Sequence, residues 1–431
     1  MASRPNRQTN SKTRRPLIVF LDYPDVFEDF YPHFSVTQEA FGRSWAASGN
    51  HGFLAQLQQE VGDVLWYQFC IRPQVAESQH ALGFRVRFLR SSWLHRRLHD
   101  FFYFRSFSWR LQRFFDTYEA IASYVSQLSL DLLRALRRDR PDAFFLQDYA
   151  TGRFDVMLLV ARLLGVPLVA YHAGSRPERY AGRWLRAFTM RHAAALIASS
   201  AGEAQILETR FAVPRDRIAV VLTPIDTERF APCERTEACR AVGLDPTRRY
   251  LLFMGRLDDQ VKRISAIMRS FAVLAAEHRE TTLLIAGTGP DEDTLKALAS
   301  SLDSERIRMV GWVAGVDARC ALYAASDLLL LPSIKEGFPS VVGEAMACGT
   351  PVLGSAVGGV PELVRDGETG WLVPPGDEPA LMAAMQRALT NPGMRTEMRQ
   401  AARRMALARV SPDVVGSQLR QVFQRLGVAL A

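Results

Sequence analysis

The stretch "DLLLLPSIKEGFPSVVGEAMACGTPVLGS", residues 327–355, decides the fold class. It contains an apolar run of strand length (327–333), a turn, a helix pattern that runs through "VVGEAMAC" (341–348), and a second apolar run (351–355). Apolar strands without polar alternation are typical of a parallel sheet that is covered by helices on both faces. The stretch therefore predicts a strand–helix–strand unit of an α/β protein.

Similar apolar runs recur along both halves of the chain. In the N-terminal half they lie at 17–22, 142–148, 167–172 and 195–200, and in the C-terminal half at 250–255, 282–287 and 307–312. Residues 220–238, between the halves, are rich in proline and charge. We therefore predict two doubly wound domains, at 16–225 and 226–410, whose ligands bind at the carboxyl ends of the strands. A basic tail (1–15) should be disordered, and a helix in 411–431 should pack back on the N-terminal domain.

The composition is that of a globular protein, with 48% hydrophobic and 23% charged residues. The five cysteines include no C-x-x-C pair, which favours a reducing compartment and no structural zinc. No apolar stretch approaches the roughly 18–20 residues needed to span a bilayer, so we expect a cytoplasmic protein. The formal net charge of +8 favours an acidic partner, such as nucleic acid, anionic lipid or a phosphorylated small molecule.

The turn after residue 333 has the features of a helix start that binds an anion. Gly337 permits an unusual backbone and the close approach of a ligand, while Pro339 and Ser340 suit the first positions of a helix. The N–H groups of Gly337, Phe338 and Ser340 would then face outward at the positive helix end, where phosphate or sugar oxygens bind. The alternative is an ordinary solvated helix start.

Two glutamates flank this helix start. Glu336 precedes it, and Glu344 lies one turn inside it, on the same side as Ser340. A carboxylate in such a place can accept two hydrogen bonds from a vicinal diol, as in ribose recognition by dinucleotide-binding folds. Because two glutamates eight positions apart also occur by chance, the pair gains weight only from the sequence around it.

The sequence around the pair resembles a known signature. Residues 333–377, "SIKEGFPSVVGEAMACGTPVLGSAVGGVPELVRDGETGWLVPPGD", are similar nearly position by position to the family 4 retaining glycosyltransferases, or glycosyl transferases group 1. These carry E-G-F, seven residues between two glutamates, E-A-M-A-x-G-x-P-V, G-G-x-P-E and D-G-x-T-G-x-L-V. The resemblance implies the GT-B fold, in which two Rossmann-like domains face each other across a donor-binding cleft. It also implies a hexosyltransferase of the Leloir type, which uses a nucleotide-sugar.

The loop "FMGRLDDQVKR" (253–263) is similar to the loop whose cations hold the donor diphosphate. By this resemblance the donor-binding residues would be Gly255, Arg256 and Lys262, with Arg263 as the alternative to Lys262 because the spacing varies in the family. A fixed guanidinium fork and an ammonium group suit a diphosphate. Without the resemblance, the loop would be a solvated basic helix start.

Two further turns are implied to lie near the nucleotide. In "IAGTGPDEDTL" (285–295), Gly287 and Gly289 would let the backbone approach it. After the next apolar run, Trp312 and Val313 would flank the base mainly through their backbone, although plain packing explains them equally well.

The N-terminal half resembles the family less closely. The apolar run at 167–172 ends in His172, which aligns with a histidine that approaches the transferred sugar in many members. A histidine at a strand end is otherwise more often structural. Many members also carry a glycine pair just after the first strand, whereas "LIVFLDYPDVFEDFYPHF" (17–34) has none. We therefore assign no donor role to that loop.

The resemblance implies a front-face displacement with retention, in which the departing β-phosphate takes the acceptor proton. Glu336 and His172 would act on the sugar, and Glu344 would hold the ribose. Two protein cations stand where a metal would otherwise be needed, and no clear D-x-D metal site is present, so neither a metal nor a cofactor is expected.

UDP-sugars are the favoured donors and GDP-mannose the next, with a glycan or lipid-linked acceptor. The alternatives are a catalytically silent nucleotide- or glycan-binding scaffold and, against the motifs, an epimerase or phosphorylase of the same fold.

A basic aromatic stretch at 84–115 contains eight arginines and eleven aromatic residues, with Asp100 as its only acid. Ordinary helices with their aromatic residues packed inward would explain it. The alternative is a peripheral membrane face at the inner side of the cell membrane, since aromatic side chains settle at the headgroup level and cations bind anionic lipid. Co-sedimentation with anionic and with neutral liposomes separates these two explanations. Nucleic acid is not expected, because no recognised motif is present.

Overall fold

The apolar runs of the N-terminal half form a mixed, mainly parallel sheet. The computed structural model describes residues 14–22, 26–45, 49–103, 121–172, 183–303, 305–390 and 392–430. Within these ranges the first sheet has the order β3-β4-β2-β1-β5-β6-β7-β8. Strand β1 is parallel to β2 and β5, β2 to β4, and β5 to β6, whereas β3 is antiparallel to β4. The strands are β1 Leu17–Leu21, β2 Asp63–Cys70, β3 Glu77–Gln79, β4 Arg85–Arg90, β5 Ala143–Gln147, β6 Leu168–Tyr171, β7 Ala195–Ala198 and β8 Ile218–Val220.

Helices connect most of these strands. Two short 3₁₀ helices, Phe27–Asp29 and Tyr31–Phe34, follow β1, and a third, Arg215–Arg217, precedes β8. The α-helices are α1 Gln38–Arg43, α2 Gly49–Glu60, α3 Trp93–Tyr103, α4 Leu130–Asp139, α5 Gly152–Leu164, α6 Arg183–Arg191 and α7 Ala201–Phe211. Residues 121–125 are also helical.

The C-terminal half forms a second sheet in which every strand pairing is parallel, with the order β11-β10-β9-β12-β13-β14. Its strands are β9 Arg249–Met254, β10 Thr281–Ala286, β11 Ile307–Gly311, β12 Leu328–Leu331, β13 Val352–Ser355 and β14 Gly370–Val373. Its helices are α8 Arg235–Ala241, α9 Asp259–Lys262, α10 Ile264–Leu274, α11 Glu292–Asp303, α12 Val316–Ala325, α13 Ser340–Ala347, α14 Val360–Leu363, α15 Glu378–Thr390, α16 Pro392–Val410 and α17 Pro412–Arg425.

Burial explains why the central strands read as continuous apolar runs. All residues of β1, β10 and β12 are buried, so both faces of these strands pack against other parts of the chain. In the second sheet, the strand order is that of a Rossmann fold, with the direction of strand succession reversing between β9 and β12. The prediction of two Rossmann-like α/β sheets is confirmed.

The chain divides into two compact units. The first contains the described residues up to Tyr171, residues 183–196 and the chain from Gly416, and the second contains His172 and Ile197–Val415. The last strand of the first sheet, β8, ends before the predicted domain boundary at 225, and the first strand of the second sheet, β9, begins after it. The division into compact units falls earlier, within β7.

The C-terminal helix α17 makes contacts inside the first unit. The Arg420 Nε atom donates to the Glu60 carbonyl oxygen at 3.1 Å, and the Phe423 ring lies 6.4 Å from the Phe145 ring. At the other end of the chain, most of the predicted tail (residues 1–13) lies outside the described residues. Within the described part, the Arg15 Nη2 atom donates to the Gln58 carbonyl oxygen at 2.5 Å.

The basic aromatic stretch is divided between a strand and a helix. Its explanation as helices is wrong for residues 85–90, which form β4 and pair in parallel with β2. The alternation of arginine and apolar residues in "RVRFLR" has the period of a strand, and Arg87 is buried in an ion pair with Glu77. Trp93, at the start of α3, is 64% exposed. Residues 104–115 lie outside the described residues, and among the described helices none is long and apolar enough to cross a membrane.

Candidate functional site

The point at which strand order reverses in the second sheet brings two predicted segments together. Strands β9 and β12 are neighbours, with Leu251 paired to Leu328. Because the connections from these strands lead to opposite sides of the sheet, a crevice is expected beyond their carboxyl ends. The loop after β9 carries residues 255–263, and the loop after β12 carries residues 332–339.

Helix α13 begins at the predicted place. Pro339 is its N-cap residue and Ser340 its first residue, and no side chain caps this end. Within the described chain, the N–H groups of Gly337, Phe338 and Ser340 donate no backbone hydrogen bond. The positive end of the helix therefore presents unpaired donors of the kind that bind anions.

A glycine pair fixes the loop that leads to this helix. The Gly359 N–H donates to the Gly337 carbonyl oxygen at 2.6 Å. At Gly358, which has a φ of +53°, a Cβ atom would lie 2.2 Å from the Glu336 carbonyl oxygen. Only a residue without a side chain permits this approach of two backbones. The G-G-x-P-E element of the signature thus supports the backbone that carries Glu336.

Lys262 and Glu336 form an ion pair that joins the two loops. The Lys262 Nζ atom lies 2.6 Å from the Glu336 Oε1 atom, and the side chains are 19% and 8% exposed. The backbones are joined as well, because the Ile334 N–H donates to the Val261 carbonyl oxygen at 2.9 Å. The structure therefore brings together a predicted phosphate-binding cation and a predicted sugar-binding carboxylate.

The two arginines of the loop after β9 have different surroundings. Arg256 is exposed, and its guanidinium forms no ion pair with another described residue. The Arg263 Nη2 atom instead lies 2.5 Å from the Glu378 Oε1 atom. Of the two alternatives for the second cation, it is the Lys262 side chain that lies beside Glu336.

Gly287 and Gly289 have a packing role that the sequence did not reveal. A Cβ atom at Gly287 (φ +137°) would lie 1.8 Å from the Gly255 carbonyl oxygen, and one at Gly289 would lie 2.4 Å from the Leu257 carbonyl oxygen. The Leu257 N–H also donates to the Thr288 carbonyl oxygen at 2.9 Å. These glycines let the loop after β10 pack against the loop after β9. Their contact with a nucleotide stays a prediction.

Glu344 is buried and held by two donors from α12. Its Oε1 atom accepts from Arg319 Nη1 at 2.7 Å, and its Oε2 atom accepts from the Tyr323 hydroxyl at 2.9 Å. Burial raises the pKa of the Glu344 carboxyl, and the Arg319 charge and the Tyr323 hydrogen bond act in the opposite direction. The two predicted glutamates thus have distinct partners, since Glu336 pairs with Lys262.

His172 follows β6 and lies beside an acidic side chain. Its Nε2 atom is 3.9 Å from the Glu203 Oε1 atom, and the two side chains are 8% and 16% exposed. The Glu203 Oε2 atom accepts from the Ser199 N–H and hydroxyl at 2.7 Å and 2.6 Å. The Glu203 carboxylate, itself fixed in this way, therefore lies within ion-pair distance of the imidazole. The role of His172 toward the sugar stays a prediction.

The residues predicted to flank the base differ in exposure. Trp312 is 71% exposed, whereas Val313 is half-buried and packs against the core of the second unit. The Val313 side chain therefore contributes to packing, and its contact with the base stays a prediction.

A buried polar group follows β1, in the loop that lacks a glycine pair. The Asp22 carboxylate accepts a hydrogen bond from the Tyr31 hydroxyl. The backbone carbonyl oxygen of Asp22 accepts from the guanidinium of Arg153, which is 1% exposed. Burial raises the pKa of Asp22 to about 6. Strand β1 therefore ends in a charged, buried cluster rather than in a glycine turn.

Comparison with known families assigns both halves of the chain. Residues 74–229 match the model described as Glycosyltransferase Family 4, and residues 234–405 match the model described as Glycosyl transferases group 1. The chain belongs to the group 1 family of glycosyl transferases.

Curated relatives of this group 1 protein align with about half of the chain. D-inositol 3-phosphate glycosyltransferase from Rhodococcus jostii (strain RHA1) is 36% identical over 46% of this chain and 45% of its own length. N-acetyl-alpha-D-glucosaminyl L-malate synthase from Bacillus anthracis is 30% identical over 49% of this chain and 54% of its own length. The alignments thus span about half the length of the curated relatives.

Solved structures share the fold of this group 1 protein over nearly its whole length. Anabaena HepE in complex with UDP has a TM-score of 0.69 at 17% identity, covering 95% of this chain and 99% of HepE. Sucrose-phosphate synthase from Thermosynechococcus elongatus has a TM-score of 0.72 at 20% identity, covering 96% and 99%. The predicted GT-B fold is confirmed.

Sequence reasoning did not single out two residues of this group 1 site, Arg319 and Tyr323. They are four positions apart on α12, and so lie on one face of a helix. An arginine and a tyrosine at this spacing, just before the strand that leads to the glutamates, were the available signal. Their partner, Glu344, is on another helix and could not be inferred from local spacing.

Proposed function

We propose that this protein is a retaining glycosyltransferase that moves a hexose from a nucleoside-diphosphate sugar to a glycan or lipid-linked acceptor. The observation that carries the proposal is the Lys262–Glu336 ion pair beside the open end of α13. A cation, a carboxylate and unpaired backbone N–H groups at one strand-end crevice suit a ligand that joins an anionic diphosphate to a hydroxyl-rich sugar.

The donor diphosphate would be held by Arg256, Lys262 and the N–H groups at the start of α13. Arg256 is exposed and forms no ion pair within the described chain. Its guanidinium can therefore pair with a phosphate without breaking another ion pair. Lys262 would pair with a phosphate oxygen while keeping its contact with Glu336, since an ammonium group has three donors. Anabaena HepE was solved in complex with UDP-glucose, which supports UDP-glucose or a related UDP-sugar as the donor. GDP-mannose is the next candidate.

The reaction we propose is a front-face displacement that preserves the anomeric configuration. The bond between the anomeric carbon and the β-phosphate oxygen breaks as the acceptor oxygen bonds to the same face of that carbon. The departing β-phosphate takes the acceptor proton, so that protons and charge balance. Negative charge grows on the diphosphate during bond cleavage, and Arg256 and Lys262 therefore stabilise the transition state most if their contacts strengthen there. This scheme requires no metal or cofactor.

The two glutamates would act on opposite ends of the donor. Glu336, one residue before Gly337, would orient the sugar hydroxyls and offset positive charge at the anomeric carbon. Glu344, inside the helix, would accept hydrogen bonds from the ribose hydroxyls. His172 would approach the sugar from the loop after β6. These roles follow the family resemblance, and the observed pairing of Glu336 with Lys262 is consistent with them.

The acceptor side would lie in the N-terminal half, and we propose a cytoplasmic enzyme that binds the inner face of the cell membrane. The exposed Trp93 supports this location, together with Arg97, whose guanidinium lies 5.6 Å from the Trp93 ring. Aromatic and arginine side chains of this kind bind headgroups of anionic lipid. The liposome comparison described above tests it: equal, negligible pelleting with anionic and neutral vesicles would exclude the membrane face.

One observation favours the second candidate, a catalytically silent binding scaffold. Two charged residues of the proposed site, Lys262 and Glu344, already have partners inside the protein. A silent scaffold would bind a nucleotide or a glycan without catalysing transfer.

Release of nucleoside diphosphate separates the two functions. We expect UDP-glucose, UDP-galactose, UDP-N-acetylglucosamine or GDP-mannose to raise the melting temperature, since a ligand at about 100 times its Kd adds roughly 2.7 kcal/mol of stability. We also expect the stabilising donor to release its diphosphate slowly to water when no acceptor is present. Stabilisation without release, even with candidate acceptors, would favour the scaffold. Absence of any stabilisation by these donors or by UDP and GDP would contradict the transferase and leave only a glycan-binding scaffold.

A further inference from the structure

A guanidinium and a phenol from α12 hold the Glu344 carboxylate from both sides. Arg319 donates to one carboxylate oxygen at 2.7 Å and Tyr323 to the other at 2.9 Å. Arg319 is itself fixed, because its Nε atom lies 3.4 Å from the Gly315 carbonyl oxygen and its guanidinium carbon lies 5.1 Å from the Phe230 ring. The Arg319 side chain is 31% exposed, so part of it faces solvent.

We propose that Arg319 is a positioning residue for the nucleoside of the donor, acting by keeping Glu344 ionised and oriented toward the ribose hydroxyls. This assignment rests on the proposed function, because it takes the ligand of Glu344 to be a nucleoside diphosphate. It adds Arg319 to the proposed site. Through Glu344, Arg319 would act on one part of the ligand, the ribose diol.

The number of acceptor positions on Glu344 is compatible with this role. An ionised carboxylate can accept about four hydrogen bonds. Arg319 and Tyr323 use one on each oxygen, which leaves one on each oxygen for the two hydroxyls of a vicinal diol. A protonated carboxyl group would lose this symmetry, because one of its oxygens would carry a hydrogen and become a donor.

Arg319 is the charge that most directly opposes protonation of this buried carboxyl. Among the described residues, the other titratable or charged side chains around Glu344 include Tyr323 and Cys320 on α12, Cys348 at the end of α13, and Arg403 on α16, which donates to the Ala347 carbonyl oxygen at 2.7 Å. Burial raises the pKa of Glu344, and Arg319 is the largest influence in the opposite direction. Loss of the guanidinium would therefore raise the pKa of Glu344 further and leave more of it protonated at a given pH.

The test compares ribose and deoxyribose ligands. Wild-type protein, Arg319→Leu, Arg319→Lys and the control Arg269→Leu are titrated calorimetrically with whichever of UDP and GDP raises the melting temperature, and with its 2′-deoxy analogue. Arg269 is a matched control because it also pairs with a glutamate of the second unit, Glu378, at 3.2 Å.

We expect wild type and Arg269→Leu to bind the ribose ligand more tightly than the deoxyribose ligand. Arg319→Leu should bind the ribose ligand about ten- to a hundredfold more weakly, which is the loss expected for a hydrogen bond to a charged group. It should bind the deoxyribose ligand with a much smaller loss, so that the preference for ribose disappears. Arg319→Lys should retain part of the preference, because a cation remains beside Glu344.

The pH dependence gives a readout that a purely structural role would not produce. Because loss of the guanidinium raises the pKa of Glu344, the preference of Arg319→Leu for the ribose ligand should increase as the pH rises and Glu344 ionises. The wild-type preference should change less over the same rise in pH.

Two results would overturn the assignment in distinguishable ways. Equal losses for the ribose and deoxyribose ligands, or no loss, in a folded Arg319→Leu protein would show that Arg319 does not act on the ribose, while leaving the proposed function intact. Failure of wild type to bind UDP or GDP at all would instead contradict the proposed function and remove the ligand on which the assignment depends.

Discussion

Replacing Lys262 with alanine should lower kcat/KM for the nucleotide-sugar by about a thousandfold. In the proposed mechanism the variant would lose a preformed donor to the leaving diphosphate, which typically costs about 3–4 kcal/mol. It would also leave Glu336, whose side chain is 8% exposed, without its Lys262 partner beside the proposed phosphate site. Because each 1.36 kcal/mol changes a rate by tenfold, the first effect alone amounts to several hundredfold, and the two effects together to about a thousandfold. Steady-state kinetics of diphosphate release measure the change.

Two further variants show whether the charge or its position is responsible. Lys262→Arg keeps a cation near Glu336 and should recover part of the activity. Arg263→Ala removes the neighbouring cation, which pairs with Glu378 at 2.5 Å, and should have a much smaller effect. If Arg263→Ala proved as damaging as Lys262→Ala, the assignment of the second phosphate-binding cation would be wrong.

Replacing Glu336 with glutamine should mainly lower kcat, by about a hundredfold, with a much smaller change in the donor KM. The substitution keeps the size of the side chain but removes the charge that would offset the developing positive charge at the anomeric carbon, an interaction that is strongest in the transition state. Glu344→Gln should behave differently and mainly raise the donor KM, since in the proposed complex the ribose would be bound equally in the ground and transition states.

A matched control is available for these glutamates. Glu378 also pairs with a cation of the loop after β9 but lies outside the proposed donor contacts, and Glu378→Gln should leave both kinetic parameters close to wild type. Circular dichroism at the assay temperature checks that each variant is folded. The reverse pattern, with Glu336→Gln acting on KM and Glu344→Gln on kcat, would refute the two roles.

The sequence predicted the elements that carry the site because their patterns are local. The apolar runs became β9, β10 and β12 with ends shifted by only a few residues, since a buried parallel strand is apolar on both faces. The start of α13 at Ser340 could also be predicted, because glycine, proline and serine each have a preferred position at a helix terminus. The contact of Lys262 with Glu336 follows from sheet order, which the family resemblance implied and spacing alone did not.

What the sequence did not reveal depends on packing between distant segments. Residues 85–90 were grouped by composition with the aromatic residues that follow them, and their pairing with β2 as a buried strand was missed. The partners of Glu344 come from α12, and the glycines at 287 and 289 are required by the backbone of the loop after β9. Each is a contact between elements, and neither propensity nor motif spacing along one element identifies the partner on another.

A crystal structure of the protein bound to the donor that stabilises it most tests the central claim directly. We expect the diphosphate within hydrogen-bond distance of Arg256, Lys262 and the first N–H groups of α13, the sugar hydroxyls on Glu336, and the ribose on Glu344. A donor bound elsewhere, with the Lys262–Glu336 pair untouched and the start of α13 facing only water, would contradict the account.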